Sequence, residues 1–230
     1  MPQILITGAS RGIGLALAQE YAARDWRVFA ACREPSGAAA LQALAETRPN
    51  VTIHAMDVSA HDSVDRLATE IKGHAIDVVC NNAGIGGGKS GLGEIDFDHW
   101  RRVFDVNLFG AIKVSEAFLP NVEAGAEKKI VAISSSLGSI STTRGGNYAY
   151  RTSKAALNMA VRSLAMDLKE RGVIAAVLSP GIVDTDFTRG ARMPKISPAE
   201  SAAGLADIIA NLSPEHAGQF LRYNGETVPW

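Results

Sequence analysis

Tyr150 and Lys154 stand four residues apart in Tyr-Arg-Thr-Ser-Lys, so a helix over this stretch sets both side chains on one face. That pair suits one chemistry. Hydride addition to a carbonyl carbon leaves an alkoxide that needs a proton, and a phenol can donate one. A free tyrosine, with a pKa of about 10, is a sluggish acid at neutral pH. A lysine ammonium about 4 Å away, at an effective dielectric of about 20, favours the phenolate by about 4 kcal/mol. The spacing therefore predicts a tyrosine whose pKa is drawn down towards neutrality. Tyr148 has Thr152, not a lysine, at the same offset. It follows Gly145-Gly146-Asn147 and reads as a loop residue walling the neighbouring pocket.

A second chemistry is written in Thr7-Gly8-Ala9-Ser10-Arg11-Gly12-Ile13-Gly14, which joins an apolar run to a helical pattern. Glycines allow a sharp turn and let a pyrophosphate approach the amides at a helix N-terminus. Gly8, Ser10, Arg11, Gly12, Ile13 and Gly14 are the predicted phosphate-binding residues. A carboxylate ending the second apolar run would accept ribose hydroxyls and repel a 2′-phosphate. That run instead ends Ala31-Cys32-Arg33, with Glu34 one position later. Arg33 offers a planar, permanently charged fork for a phosphate, and Arg11 stands where a second cation would help. NADP(H) is therefore expected in preference to NAD(H), with Glu34 the opposing signal.

These residues need a scaffold, and the chain supplies alternating patterns. Short apolar runs fall at 3–7, 27–32, 51–55, 76–80, 129–134, 173–179 and 219–222. Most are continuous and β-branched, as strands buried on both faces are. Helical patterns lie between them at 13–24, 36–47, 61–72, 98–119, 150–171 and 197–212. Ser63, Asp96 and Ser197-Pro198 with Glu200 supply helix-start chemistry. Seven strands interleaved with six helices predict one α/β domain over residues 1–230, built on a doubly wound parallel sheet. In 150–171, Leu157, Ala160, Val161, Leu164 and Leu168 form an apolar face for the sheet. Ala155, Met159 and Met166 form a second stripe, so this helix is expected to be covered on two sides.

Composition narrows the class. The 230 residues are 47% hydrophobic and 20% charged, a globular balance. Net charge is −1, without the basic excess of a nucleic-acid binder. No stretch approaches the ~20 apolar residues that cross a bilayer. The start, Met-Pro-Gln, carries no basic leader, and the expected address is the cytoplasm. Cys32 and Cys80 read as buried free thiols. The five histidines lack ligand spacing, so no metal is expected.

Taken in order, Thr7–Gly14, Asn81-Asn82-Ala83-Gly84, Asn107, Tyr150-x-x-x-Lys154 and Pro180-Gly181 with Thr185 resemble the motifs of the short-chain dehydrogenase/reductase family. The brevity of the chain and its ending, Tyr-Asn-Gly-Glu-Thr-Val-Pro-Trp at 223–230, resemble the C-factor and Sniffer-type carbonyl reductases. The resemblance implies a Rossmann-type fold with strand order 3-2-1-4-5-6-7 and a cofactor across the carboxyl ends of the strands. It implies an NADPH-dependent reductase of aldehydes, ketones or quinones, with Asn107, Ser135, Tyr150 and Lys154 catalytic. Counting back from Gly138 selects Ser135, yet the long interval to Tyr150 keeps Ser136 in play. Asn107 would hold a water for a proton relay through Lys154. Asp57 and Val58 would meet the adenine, although Asp57 also reads as a helix cap. Asn81, Ala83 and Gly84 would wall the ribose. Pro180, Gly181, Val183 and Thr185 would orient the carboxamide of the nicotinamide. Substrate contacts are expected from 86–91, 137–147 and 185–195. The 150–171 helix would lie at the interface of a homodimer or homotetramer. The rival reading is a signalling or sensor protein that binds NADP(H) and turns over little.

Overall fold

A computed structural model describes residues 1–88, 91–190 and 192–230. Lys89, Ser90 and Ala191, which fall in two of the expected substrate segments, lie outside the described residues. The chain runs β1 (Gln3–Thr7), α1 (Gly12–Ala23), β2 (Arg27–Cys32), α2 (Ala39–Thr47), β3 (Val51–Ala55), α3 (His61–Glu70) and β4 (Val78–Asn81). Then come α4 (Phe97–Phe104), α5 (Gly110–Ala117), α6 (Leu119–Ala124), β5 (Lys129–Ile133) and α7 (Tyr148–Asp167). It closes with β6 (Ile174–Ser179), α8 (Pro198–Asn211) and β7 (Phe220–Arg222). The strands form one sheet in the order β3-β2-β1-β4-β5-β6-β7, every pair parallel. This is the expected Rossmann-type order, with the switch point between β1 and β4.

The continuous apolar strands are buried on both faces because helices cover both. Ile4 and Ile6 of β1 point into a core shared with Leu17 and Tyr21 of α1 and Leu205 and Ile209 of α8. Leu5, between them, points into the opposite core with Leu67 of α3, Val114 of α5 and Leu157 of α7. Alternation along a strand thus divides one apolar run between two layers.

Several boundaries depart from the sequence pattern. The helix expected at 98–119 starts with Asp96 as its cap, whose carboxylate accepts from the amides of Asp98 and His99. It is then interrupted by a π-turn, Asp105–Phe109, and resumes as α5. The short α6 follows it, and the sequence pattern had not separated that element. Ser197 does cap α8, accepting from Glu200 N at 3.0 Å. Ser63 is no cap: its hydroxyl accepts from Asp57 N. α7 begins at Tyr148, so Tyr148 is helical and not a loop residue. The sheet-facing stripe of α7 is Leu157, Val161, Ala165 and Leu168; Ala160 and Leu164 are only half-buried.

The amino-terminal edge of the sheet is tied by two buried charges. Lys129 caps the end of α8, donating from Nζ to Ile209 O at 2.8 Å and Ala210 O at 3.1 Å, and it pairs with Glu127. Asp77 accepts from Gln3 N at 2.7 Å, Ala126 N at 2.8 Å and Glu127 N at 3.2 Å. It joins the start of β1 to the entry of β5. Asp77→Ala leaves three amides unpaired and is expected to cost about 3 kcal/mol of stability. Urea unfolding measures this, and a midpoint equal to that of the wild type would refute the tie.

Candidate active site

Every predicted cluster converges on the carboxyl ends of the strands. Gly8 and Gly12 adopt left-handed backbone, φ 67° and 57°, which turns the chain from β1 into α1. A Cβ on Gly8 would lie 2.9 Å from Ala83 Cα, and one on Gly14 would lie 2.3 Å from Gly8 O. Glycine is required here by contact as well as by torsion. Thr7 Oγ1 accepts from the amides of Asn82 and Ala83, and Asn82 Nδ2 donates to Thr7 O and Gly8 O. The loops after β1 and β4 are therefore one unit. Asn82 and Thr7 tie it together, and the motif reading had assigned neither of them a role.

The unit fits a dinucleotide phosphate. The first amides of α1 have no intrahelical partner, no side chain caps them, and no acidic residue stands in the first turn. Ser10 and Ile13 flank this turn, and Thr185 closes over it, with its Cγ2 3.5 Å from where a Cβ on Gly12 would sit. Arg11 and Arg33 are both exposed and follow neighbouring strands paired at Thr7 and Ala31. Asn81 Oδ1 is a buried acceptor without a partner among the described residues, while its Nδ2 donates to Ser115 Oγ. Asp57 accepts from the amide and hydroxyl of Ser59 and so caps a turn. Burial pushes its carboxyl up, but those bonds and the charges of Arg33 and Arg102 outweigh this and hold it below its ordinary value. Val58, beside it, is buried against Gly110.

Tyr150 and Lys154 lie on the inner face of α7, with 8% and 4% of their surfaces exposed. Lys154 Nζ donates to Ile133 O at 2.8 Å and stands 5.8 Å from the centre of the Tyr150 ring. The balance is the reverse of the sequence estimate. Burial pushes the Tyr150 phenol up to about 12, opposed by the neighbouring Ser135 hydroxyl. Burial also pulls the Lys154 ammonium down to about 8. Desolvation, not the mutual field of the pair, sets both values.

The surrounding residues sort themselves by partner. Ser135 faces Tyr150; its Oγ accepts from Leu137 N, which leaves its hydrogen free to donate. Ser136 pairs instead with Ser179. Asn107 sits in the π-turn, where it accepts from Ile85 N at 2.8 Å and donates to Ile85 O and Ser153 Oγ, both at 3.0 Å. It pins the loop after β4 to the Tyr150 helix. A Cβ on Gly84 would lie 3.3 Å from Asn107 Oδ1 and 3.6 Å from Lys154 Nζ. Pro180 O accepts from Ser201, Gly181 is left-handed at φ 82° against Tyr223, and Val183 pairs with Ile196. Two further residues were not singled out from the sequence, although Phe187 falls within the 185–195 segment. His99 donates from Nε2 to Gly86 O at 2.9 Å, and the Phe187 ring lies 5.4 Å from that of Tyr150. Tyr148 turns the other way and packs on Trp100.

The arrangement can deliver a proton and a hydrogen bond to one oxygen beside a phosphate cradle. Comparison with known proteins agrees with it. The short chain dehydrogenase family model matches residues 2–195. C-signal from Myxococcus xanthus is 41% identical over 165 residues, covering 71% of this chain and 98% of that protein. Among solved structures, an NADPH-bound carbonyl reductase from chicken fatty liver superposes with a TM-score of 0.94 at 33% identity, covering 100% of this chain and 99% of that one. Carbonyl reductase Sniffer of D. melanogaster gives a TM-score of 0.93 at 32% identity, with both chains covered completely. Fold, glycine cradle, tyrosine–lysine pair and family match agree: the chain belongs to the short-chain dehydrogenase/reductase family of oxidoreductases.

Proposed function

We propose that the protein is an NADPH-dependent reductase of small-molecule carbonyls (aldehydes, ketones or quinones), acting in reverse as an alcohol dehydrogenase. One observation carries the reading: a buried phenol, Tyr150, has the Ser135 hydroxyl and the Lys154 ammonium beside it at the edge of a glycine cradle. Gly8, Ser10, Arg11, Gly12, Ile13 and Gly14 would hold the pyrophosphate. Asn81, Ala83 and Gly84 would wall the ribose, with Asp57 and Val58 at the adenine. Pro180, Gly181, Val183 and Thr185 would orient the carboxamide. The nicotinamide, when bound, supplies the hydride. Ser135 Oγ donates to the substrate oxygen, and Tyr150 Oη passes its proton to that oxygen. Lys154 Nζ, held by Ile133 O, keeps its charge near the phenolate that remains. Asn107 fixes the adjoining loop and would carry the water of the relay.

Reduction needs Tyr150 protonated and Lys154 charged. With the phenol near 12 and the ammonium near 8, both conditions hold at neutral pH and the second fails first. kcat/KM for carbonyl reduction is therefore expected to be level through neutral pH and to fall with a midpoint near pH 8. Lys154→Arg, whose guanidinium stays charged, should lose that alkaline limb. In the same assay Tyr150→Phe should retain NADPH binding and lower kcat by about 10²–10⁴-fold, whereas Tyr148→Phe, whose ring packs on Trp100, should leave kcat near that of the wild type. Near-normal turnover by Tyr150→Phe would overturn the assignment.

Preference for NADP(H) is supported by Arg33, by Arg11 and by the NADPH-bound structural relative. Arg33→Asp removes a charge-assisted contact and adds repulsion. The NADPH-to-NADH ratio of kcat/KM is expected to fall about ten-fold or more. An unchanged ratio would shift the role to Arg11.

Assembly as a homodimer or homotetramer belongs to the same reading. Met159 and Met166 of α7 are 65% and 55% exposed, and Phe109 of the π-turn is 51% exposed. An apolar groove beside them is lined by Leu108, Phe109, Ile112 and Ala160. Equilibrium sedimentation at micromolar concentration should find a dimer or tetramer that Phe109→Glu dissociates. A monomeric wild type would refute this. The likeness to C-signal keeps the signalling alternative alive, and NADPH binding without oxidation across a broad carbonyl panel would favour it.

A further inference from the structure

The ending of the chain is the one sequence motif that the site leaves unused. From β7 the chain turns back on itself: Leu221 bridges Thr227, and Val228 N donates to Phe220 O at 2.7 Å. Val228 is buried, and the turn leads through Pro229 to Trp230. The Trp230 ring lies 5.6 Å from that of Phe220 and carries the Arg162 guanidinium 5.2 Å above its centre. It is therefore held between β7 and α7. Its main-chain oxygen faces elsewhere in the fold, accepting from Ser141 N at 2.8 Å and Ser139 Oγ at 3.2 Å.

Those two serines open the segment 139–147, which joins the turn carrying Ser135 to the helix carrying Tyr150. Among the described residues, the other hydrogen bonds of 139–146 stay within 136–146. Ser139 N donates to Ser136 O, Ser139 Oγ meets Ser141 Oγ, Thr143 N donates to Ile140 O, and Gly145 N donates to Thr143 Oγ1. The Ser135 turn has a separate anchor: a Cβ on Gly138 would lie 2.9 Å from Lys154 Cβ, and Asn158 holds Gly138 O. Trp230 thus ties down the wall of the pocket and leaves the proton-donating group to α7.

We infer that Trp230 is a positioning residue that fixes segment 139–147 as the substrate-facing wall of the site. This rests on the carbonyl-reductase reading for the identity of the substrate. The tie itself does not depend on that reading.

The test uses the full-length chain. Trp230→Ala should raise KM for a carbonyl substrate about ten-fold while kcat stays within about three-fold and NADPH affinity is unchanged, the pattern of lost ground-state positioning. Trypsin should cut after the exposed Arg144 about five-fold faster than in the wild type, as expected for a loop released from its anchor. Trp230→Phe, which keeps a ring against Phe220 and Arg162, should restore both readings. Arg162→Met, which removes the cation and leaves the ring, should move both in the same direction by less. Wild-type KM and wild-type cleavage at Arg144 in Trp230→Ala would overturn the inference. So would a joint collapse of kcat, NADPH binding and thermal midpoint, which marks a residue that merely holds the fold. If the wild type reduces no carbonyl and Arg144 is still protected by Trp230, the reductase reading fails and the tie stands.

Discussion

The backbone of the loop after β1 meets that of the loop after β4 at a distance that leaves no room for a β-carbon on Gly8, and the turn folds back on itself at Gly14 just as closely. Everything at the site is referred to that contact. It lets Thr7 Oγ1 take two amides of the second loop, which joins the two halves of the sheet at their switch point. It also aims the uncapped start of α1 into the cleft. From there the positions pass along the β4 loop. Gly84 lies against Lys154 and Asn107, Ile85 is clasped by the Asn107 amide, and Gly86 is held by His99. The π-turn belongs to this chain of contacts: the extra residue in the turn marks where Asn107 leaves the regular helical ladder to reach Ile85.

Burial then decides the chemistry. A lysine and a tyrosine sealed in the core both resist ionisation, which for the tyrosine keeps a proton in place and for the lysine threatens a charge. The Lys154 value near 8 lies below the 10.5 of a solvated lysine. Its contribution to stability therefore grows as pH rises from 8 to 10.5 and is a net cost at neutrality, where the folded state must hold a desolvated charge. The carbonyl of Ile133 offsets part of that cost. Such a group sits in a core for a reason other than stability.

Much of this was legible in the residues. Continuous β-branched runs gave three strands to the residue, and the strand order followed from the resemblance. Motif spacing gave Tyr150, Lys154 and the glycine turn. What could not be read depended on three-dimensional partners. Counting back from Gly138 favoured Ser135 while the interval to Tyr150 kept Ser136 in play, and only the fold shows Ser136 paired with Ser179. Asn82 looks like a neighbour of functional residues and turns out to be the staple between two loops. The pKa ordering of Tyr150 and Lys154 was misjudged because spacing fixes which face a side chain shares, not how deeply that face is buried. Tyr148 was placed in a loop because three turn-forming residues precede it, yet the helix starts immediately after a left-handed Asn147.

The glycine floor has a consequence for how such a protein diversifies. Where backbone meets backbone, substitution is close to all or none, because any side chain forces two loops apart. The segments proposed as substrate walls, 139–147 and the loop after Thr185, are different: several of their described residues are exposed. Change can therefore accumulate on the walls without reaching the floor. On the proposed reading, a lineage of such chains is free to drift across substrates while its hydride source stays constant, and an engineer exchanging wall segments between relatives works along the same seam.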